Sequence, residues 1–134
     1  MIHFDWDNDD KTIMRYRVEG LWNWNEFHKT LRRSTLRFDE VSHPIDTIID
    51  LRKGVKLPAG AIGHLRSLGT KNHPNGVART VIIGVDPTVQ TAIGAVGGLY
   101  WDDGRMIHFA ASDEDAYEVI ARWRNSVTSG SNAT

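Results

Sequence analysis

Two short apolar runs rich in β-branched residues, 45–51 and 80–85, are the strongest pattern along the chain. Runs of this length and composition are typical of strands that are buried on both faces of a sheet. Nearer the N-terminus, apolar and polar residues alternate over residues 2–6 and again over residues 14–18. The alternation predicts two half-buried strands with one wet face, and the Asp- and Asn-rich turn between them predicts a hairpin. A last short strand is predicted over residues 105–110.

Helical spacing of apolar residues separates these strands. Asn23, followed by a glutamate three residues later, predicts a capped helix that runs to about residue 40. After the central strand at 45–51, the spacing of apolar residues predicts a second helix over residues 58–68, with Gly69 beyond its end.

Two further helices are predicted in the second half of the chain. Asp86 and Pro87 predict the start of the third helix, which the glycines at 97–98 end. Residues 100–104 are predicted to form a loop. Ser112 is the predicted cap of a fourth helix, which continues to about residue 124.

The resulting order of elements is β-β-α-β-α-β-α-β-α. It predicts one α/β domain over residues 1–125, in which an N-terminal β-hairpin is followed by β-α repeats. The predicted sheet is mostly parallel, with helices packed on it. A length of 134 residues suits a single domain. The small polar residues from 126 to 134 predict a disordered tail.

Composition narrows the classes of function. The formal net charge is −1, which provides no global attraction for nucleic acid or for an anionic membrane, so no nucleic-acid partner is predicted. No apolar run approaches the roughly 18 residues of a membrane span, and the first residues lack the features of a signal peptide. We therefore predict a cytoplasmic protein without a membrane span. The absence of cysteine excludes disulfides, thiolate metal sites and cysteine nucleophiles.

Motifs for metals, cofactors and catalysis are also missing. Asp5, Asp7 and Asp9 alternate as at the start of a calcium loop, but Asp10 and Tyr16 stand where that loop needs glycine and glutamate. The six histidines lack the spacing of metal ligands, and neither a phosphate loop nor a nucleophile elbow is present. The sequence predicts no metal site, no cofactor and no catalytic group.

Several stretches resemble a known family in their order and spacing. They are IIDL at 48–51, RTVIIGVDPTV at 79–89, GGL at 97–99 and FAASDEDA at 109–116. Together they resemble STAS domains, which sulphate transporters and anti-sigma-factor antagonists share. The resemblance covers the chain from about residue 2 to residue 124. It implies a regulatory, non-catalytic module that binds a partner protein, in some members under the control of serine phosphorylation.

The phosphorylation motif of that family is absent here. Its serine begins the helix after the central strand, in an Asp-Ser-Ser-Gly-like sequence. The matching residues 58–61 read Pro-Ala-Gly-Ala and carry no hydroxyl group. The resemblance thus implies the fold and a partner surface on the loop and helix after the central strand, without the usual serine phosphoswitch.

The same region is locally basic. Between Asp50 and Asp86 there are six Lys or Arg residues and no Asp or Glu. In the predicted fold, several of these cations lie near a helix N-terminus, which favours anions. We therefore expect this edge to bind an acidic surface of a partner protein or an anionic small molecule; the alternative is a solvated face without a binding role. The candidate binding residues are Arg52, Lys53, Lys56, Ala59, Gly60, His64 and His73.

Three functions are compatible with these features. The first is a non-catalytic, STAS-like interaction module. The second is a carrier or sensor that binds an anion or a lipid head group in a pocket beneath the second helix. The third is a small enzyme in which His64 works with Asp50 as an acid–base pair. No motif identifies such a catalytic pair, so the interaction module is the leading prediction.

Overall fold

The computed structural model describes residues 1–54, 58–61, 63–64, 76–100 and 106–132. Over these residues it has an α/β fold in which six strands form one mixed sheet and three helices have defined bounds. The strands are β1 (Ile2–Trp6), β2 (Ile13–Gly20), β3 (Ile45–Gly54), β4 (Gly76–Ile83), β5 (Gly98–Tyr100) and β6 (Met106–Ala110). The helices are α1 (Trp24–Phe38), α2 (Pro87–Ala92) and α3 (Asp113–Asn132).

The sheet has the strand order β1-β2-β3-β4-β6-β5. Its four middle strands, β2, β3, β4 and β6, run parallel to one another. The edge strands β1 and β5 are antiparallel to their neighbours, and β1 and β2 form the hairpin that the alternating pattern predicts. Among the described residues the sheet is therefore mixed, with three parallel and two antiparallel strand pairings.

Both faces of the middle strands are buried, which explains their long apolar runs. On one face, the cluster of buried side chains includes Tyr16, Ile49 and Ile82, together with Phe27 of α1. On the other face, Ile48 and Val81 pack in a second cluster with α3. Since successive side chains of a strand point to opposite faces, neighbours such as Ile48 and Ile49 belong to different clusters.

Element boundaries differ from the prediction at several places. β5 includes Tyr100, which was predicted to lie in a loop; a three-residue strand is too short for its periodicity to be recognised. β4 begins at Gly76 instead of residue 80. The last helix continues to Asn132, through most of the predicted disordered tail, where no proline interrupts it.

The second predicted helix, 58–68, is only partly described. The backbone of Ala61, Gly63 and His64 is helical, and the His64 N–H donates to the Gly60 carbonyl at 3.2 Å. Residues 58–60 precede these helical residues as a turn, so the predicted start at residue 58 is wrong, because Gly60 has a left-handed backbone; residues 62 and 65–68 lie outside the described residues. Within the part of the chain that is described, no helix is long and apolar enough to cross a membrane.

Candidate functional site

The carboxyl ends of β2 and β3 carry two groups of polar side chains, one on each face of the sheet. On the face that packs against α3, charged residues line a cleft of about 570 Å³. On the face that packs against α1, the turn at residues 58–60 and the side chain of His64 contact aromatic and histidine side chains. Open α/β sheets bind their ligands beside this end of the strands, so both groups are candidate sites.

Irregular pairing between β2 and β3 directs charged side chains into the cleft. Arg17 pairs with Asp50, whereas Glu19 pairs with Lys53, so β3 has one more residue than β2 between the two pairs. Such a bulge changes the direction of the side chains that follow it. The cleft is lined by Asp7, Arg15, Arg17, Val18, Glu19, Asp50, Arg52, Lys53, Asp113 and Tyr117.

Arg15 is the centre of an ion-pair network in this cleft. Its residue is only 5% exposed, although the alternating pattern assigns it to a wet face of the hairpin. The Arg15 guanidinium donates to Asp7 at 2.5 Å and to Asp50 at 3.4 Å, and its Nη2 lies 3.0 Å from a carboxylate oxygen of Asp113. The same Nη2 donates to the Tyr117 hydroxyl at 3.2 Å. The cost of burying this cation is offset by these partners.

Arg52 joins the network from the end of β3. Its guanidinium donates to both carboxylate oxygens of Asp50, at 3.0 and 2.8 Å, and to Asp113 at 2.9 Å. Asp113 lies in the first turn of α3, so the two arginines connect the start of that helix to the middle of the sheet. Arg17 and Lys53 also line the cleft, but no ion pair is found for either among the described residues.

The network keeps Asp50 and Asp113 ionised. Burial alone would raise the pKa of Asp50, but hydrogen bonds from the side chain and backbone of Arg52, with the charges of Arg52 and Arg15, bring that pKa below its ordinary value. Asp113 follows the same pattern: burial opposes ionisation, and Arg52 and Arg15 lower its pKa. A carboxylate acting as a general base near neutral pH needs a raised pKa, so this arrangement favours ion pairing over proton transfer.

On the other face, Trp24 holds the turn that follows β3. Its indole N–H donates to the carbonyls of Pro58 and Ala59, at 3.2 and 2.9 Å. The His64 ring is stacked on Trp24, with 4.8 Å between ring centroids and 9° between planes. His64 Nδ1 also lies 2.9 Å from His28 Nε2. Gly60, at a φ of +82°, supplies the left-handed backbone that the turn requires.

The predicted site residues are thus divided between the two faces. Arg52 and Lys53 line the cleft, whereas Ala59, Gly60 and His64 belong to the turn on Trp24. Lys56 and His73 lie outside the described residues.

The enzyme alternative depends on a pairing that is not found in these contacts. Asp50 accepts hydrogen bonds from Arg15 and Arg52 on the α3 side of the sheet. His64 is engaged with Trp24 and His28 on the α1 side. The described partners of these two residues give no support to an acid–base pair between them.

Several residues of these groups were not predicted from the sequence. They are Asp7, Arg15, Asp113 and Tyr117 in the cleft, and Trp24 and His28 beside the turn. Spacing along α1 contains a usable signal, because residues 24 and 28 are four apart and share one helix face. Asp113 and Tyr117 are likewise four apart on α3, but no local signal relates them to Asp7 and Arg15, which come from a distant part of the chain.

Comparison of the chain with protein-family models, with curated proteins and with solved structures gives no match. The resemblance to STAS domains consequently stays a prediction from sequence patterns. Conclusions about function must be drawn from the geometry of the two groups at the carboxyl ends of β2 and β3.

Proposed function

We propose that this domain is a non-catalytic interaction module that binds a partner protein through the surface at the carboxyl ends of β2 and β3. We call this the edge surface and define it by Leu21, Lys53, Ala59, Gly60 and His64. The observation that carries the proposal is the contact of this segment with Trp24. The Trp24 indole N–H donates to two carbonyls of the turn at 58–60, and the His64 ring is stacked on the indole. Such a preorganised surface loses little conformational freedom when it binds.

The chemistry of the edge surface indicates the kind of partner segment. Leu21 is 83% exposed directly after β2, and Lys53 is exposed at the end of β3 beside it. The rings of Trp22 and Trp24, 4.9 Å apart, connect this part to the turn that carries Gly60 and His64. An apolar side chain flanked by acidic residues would complement such a surface, since apolar anchors supply affinity and charge supplies orientation.

A double variant tests the proposal. Leu21→Asp/Lys53→Glu reverses the chemistry of the edge surface, and Leu36→Asp/Arg33→Glu makes matched changes at exposed positions on the distal half of α1. Equal amounts of the three proteins would be used as bait, and the captured proteins quantified by mass spectrometry. One protein should be enriched with wild type and with the α1 variant, and lost with the edge variant. Equal recovery by all three baits would contradict a partner site at this edge.

A second candidate function is the binding of a small anion in the cleft. It is favoured by Arg17 and Lys53, which line the cleft without an ion pair among the described residues. A volume of about 570 Å³ is in the usual range for small-molecule sites. Against it, Arg15 and Arg52 already bind carboxylates that an anion would have to displace. A ligand of the native state must raise the melting temperature, so a panel of phosphorylated and carboxylated compounds without any shift would exclude this candidate.

A further inference from the structure

The histidine pair beside Trp24 has a geometry close to that of two ligands on one metal ion. His28 Nε2 and His64 Nδ1 are 2.9 Å apart and face each other across the space between α1 and the turn after β3. Two imidazole nitrogens that bind one tetrahedral Zn²⁺ lie about 3.3 Å apart, given Zn–N distances of about 2.0–2.1 Å. Chelation therefore needs an opening of a few tenths of an ångström together with a tilt of the rings, because both nitrogens must point at the ion instead of at each other.

Tautomer choice makes both facing nitrogens available. In the hydrogen-bonded pair, one of them carries the proton and the other accepts it. A neutral imidazole can instead carry its proton on the other ring nitrogen, which leaves both facing nitrogens as electron-pair donors. Metal binding then requires a proton shift within one ring, with no change in its charge.

Neighbouring side chains restrict the movement of both rings. His64 is stacked on Trp24, and its backbone N–H donates to Gly60. Phe27 lies edge-on to His28, with 5.9 Å between ring centroids. Ligands whose rings are held before the metal arrives lose less entropy on binding it.

We propose that His28 and His64 form a two-histidine site for a divalent transition-metal ion such as Zn²⁺, Ni²⁺ or Cu²⁺. The described residues contain no group of three or more side chains that could hold a metal, so water would complete the coordination. Both histidines are partly exposed, which gives water access to the site. Imidazole ligands without carboxylates favour these metals over Mg²⁺ and Ca²⁺. The bound ion would connect the first turns of α1 to the segment after β3 that carries His64, whether or not that segment binds a protein.

Two double variants provide the test. His28→Gln/His64→Gln removes both ligands, and His3→Gln/His43→Gln removes two histidines located elsewhere. Untagged proteins would be titrated with Zn²⁺ by calorimetry, and with Cu²⁺ while tryptophan fluorescence is recorded. Wild type and the control should bind one Zn²⁺, and bound Cu²⁺ should quench Trp24 because His64 is stacked on it. The site variant should bind Zn²⁺ at least about tenfold more weakly and lose that quenching.

Equal binding and equal quenching by the two variants would overturn the proposal, because the metal would then lie at other surface histidines. A measurement on wild type alone guards against misfolding of the site variant. In long-range ¹H–¹⁵N spectra of the histidine rings, Zn²⁺ should shift His28 Nε2 and His64 Nδ1 before any nitrogen of His3. Signals of His28 and His64 that stay unchanged at saturating Zn²⁺ would also refute the site.

Discussion

The Tyr117 hydroxyl donates a hydrogen bond of 2.7 Å to Asp7, and so joins the last helix to the end of the first strand. The same hydroxyl accepts from Arg15 at 3.2 Å. One phenol oxygen thus binds both members of the shortest ion pair in the cleft. Because Asp7 and Tyr117 are 110 residues apart, this contact depends on the packing of α3 against the sheet.

Loss of this hydroxyl should weaken the fold by a modest amount. Tyr117→Phe keeps the ring and removes two hydrogen bonds to charged groups, so we expect the free energy of unfolding to fall by about 1–3 kcal/mol. Urea denaturation measures the change. Tyr100→Phe is the matched control, since both tyrosines are exposed and the Tyr100 hydroxyl contacts only His108 among the described residues. Equal losses in the two variants would contradict a structural role for the Tyr117 hydroxyl.

Arg15 should be far more important for stability than its neighbour Arg17. Arg15→Ala leaves the buried Asp7 carboxylate without a cation, whereas Asp50 keeps its ion pair with Arg52, and an unpaired buried charge costs about 3–5 kcal/mol. Arg17→Ala changes an exposed side chain on the same strand and should stay within about 0.5 kcal/mol of wild type. The two variants would be compared by urea denaturation at pH 7. If Arg15→Ala lowered the free energy of unfolding by less than about 1 kcal/mol, the network would contribute little to stability.

Acid should destabilise the protein through the same network. The folded state lowers the pKa of Asp50 and Asp113 below their ordinary value of 3.8. Their contribution is therefore complete above that value, and it is lost as the pH falls through the lower pKa of the folded state. Unfolding free energies measured from pH 7 to pH 2 should decrease below about pH 4. Asp50→Asn should be less stable at pH 7 and should show a shallower decrease; a slope equal to that of wild type would exclude a contribution from Asp50.

Alkali should act at a different place, the buried phenol of Tyr16. Burial raises its pKa to about 12, from an ordinary 10.0, while the hydrogen bond with Ser34 opposes this shift. A raised pKa means that the stabilisation is complete below pH 10 and is lost as the pH rises towards 12. Absorbance at 295 nm should show one tyrosine that ionises only near pH 12. Tyr16→Phe should lack both this ionisation and the associated loss of stability.

Gly84 lies close to the backbone of Arg52 in the neighbouring strand β3. At a φ of +100°, a Cβ atom on Gly84 would lie 2.8 Å from the backbone nitrogen of Arg52. Gly84→Ala combines backbone strain with this clash, whereas Gly94→Ala, at a φ of +69° and with open space around it, has the strain alone. We expect Gly84→Ala to lower the free energy of unfolding by at least about 1 kcal/mol more than Gly94→Ala. Thermal or urea denaturation would reveal this difference, and its absence would show that the strand ends adjust freely.

Most of the secondary structure was predictable because it depends on short-range patterns. The apolar runs at 45–51 and 80–85 correspond to the buried strands β3 and β4. Asn23 and Asp86 were predicted as helix caps, and their side chains accept from the N–H groups of Glu26 and Thr88. β5 was not predicted, since its three residues gain their strand conformation from pairing with β6.

The candidate sites depended on contacts between distant parts of the chain. Alternation over 14–18 and the apolar run at 45–51 place Arg15 and Asp50 on strands, but burial of these polar side chains was decided by α3, which brings Asp113 and Tyr117 over the sheet. Likewise, His28 and His64 are 36 residues apart, and only the packing of α1 beside the turn after β3 brings their rings together. By itself, the sequence determined the elements, because hydrophobic period and caps act locally. Tertiary structure decided which charges meet, because that depends on which strands become neighbours.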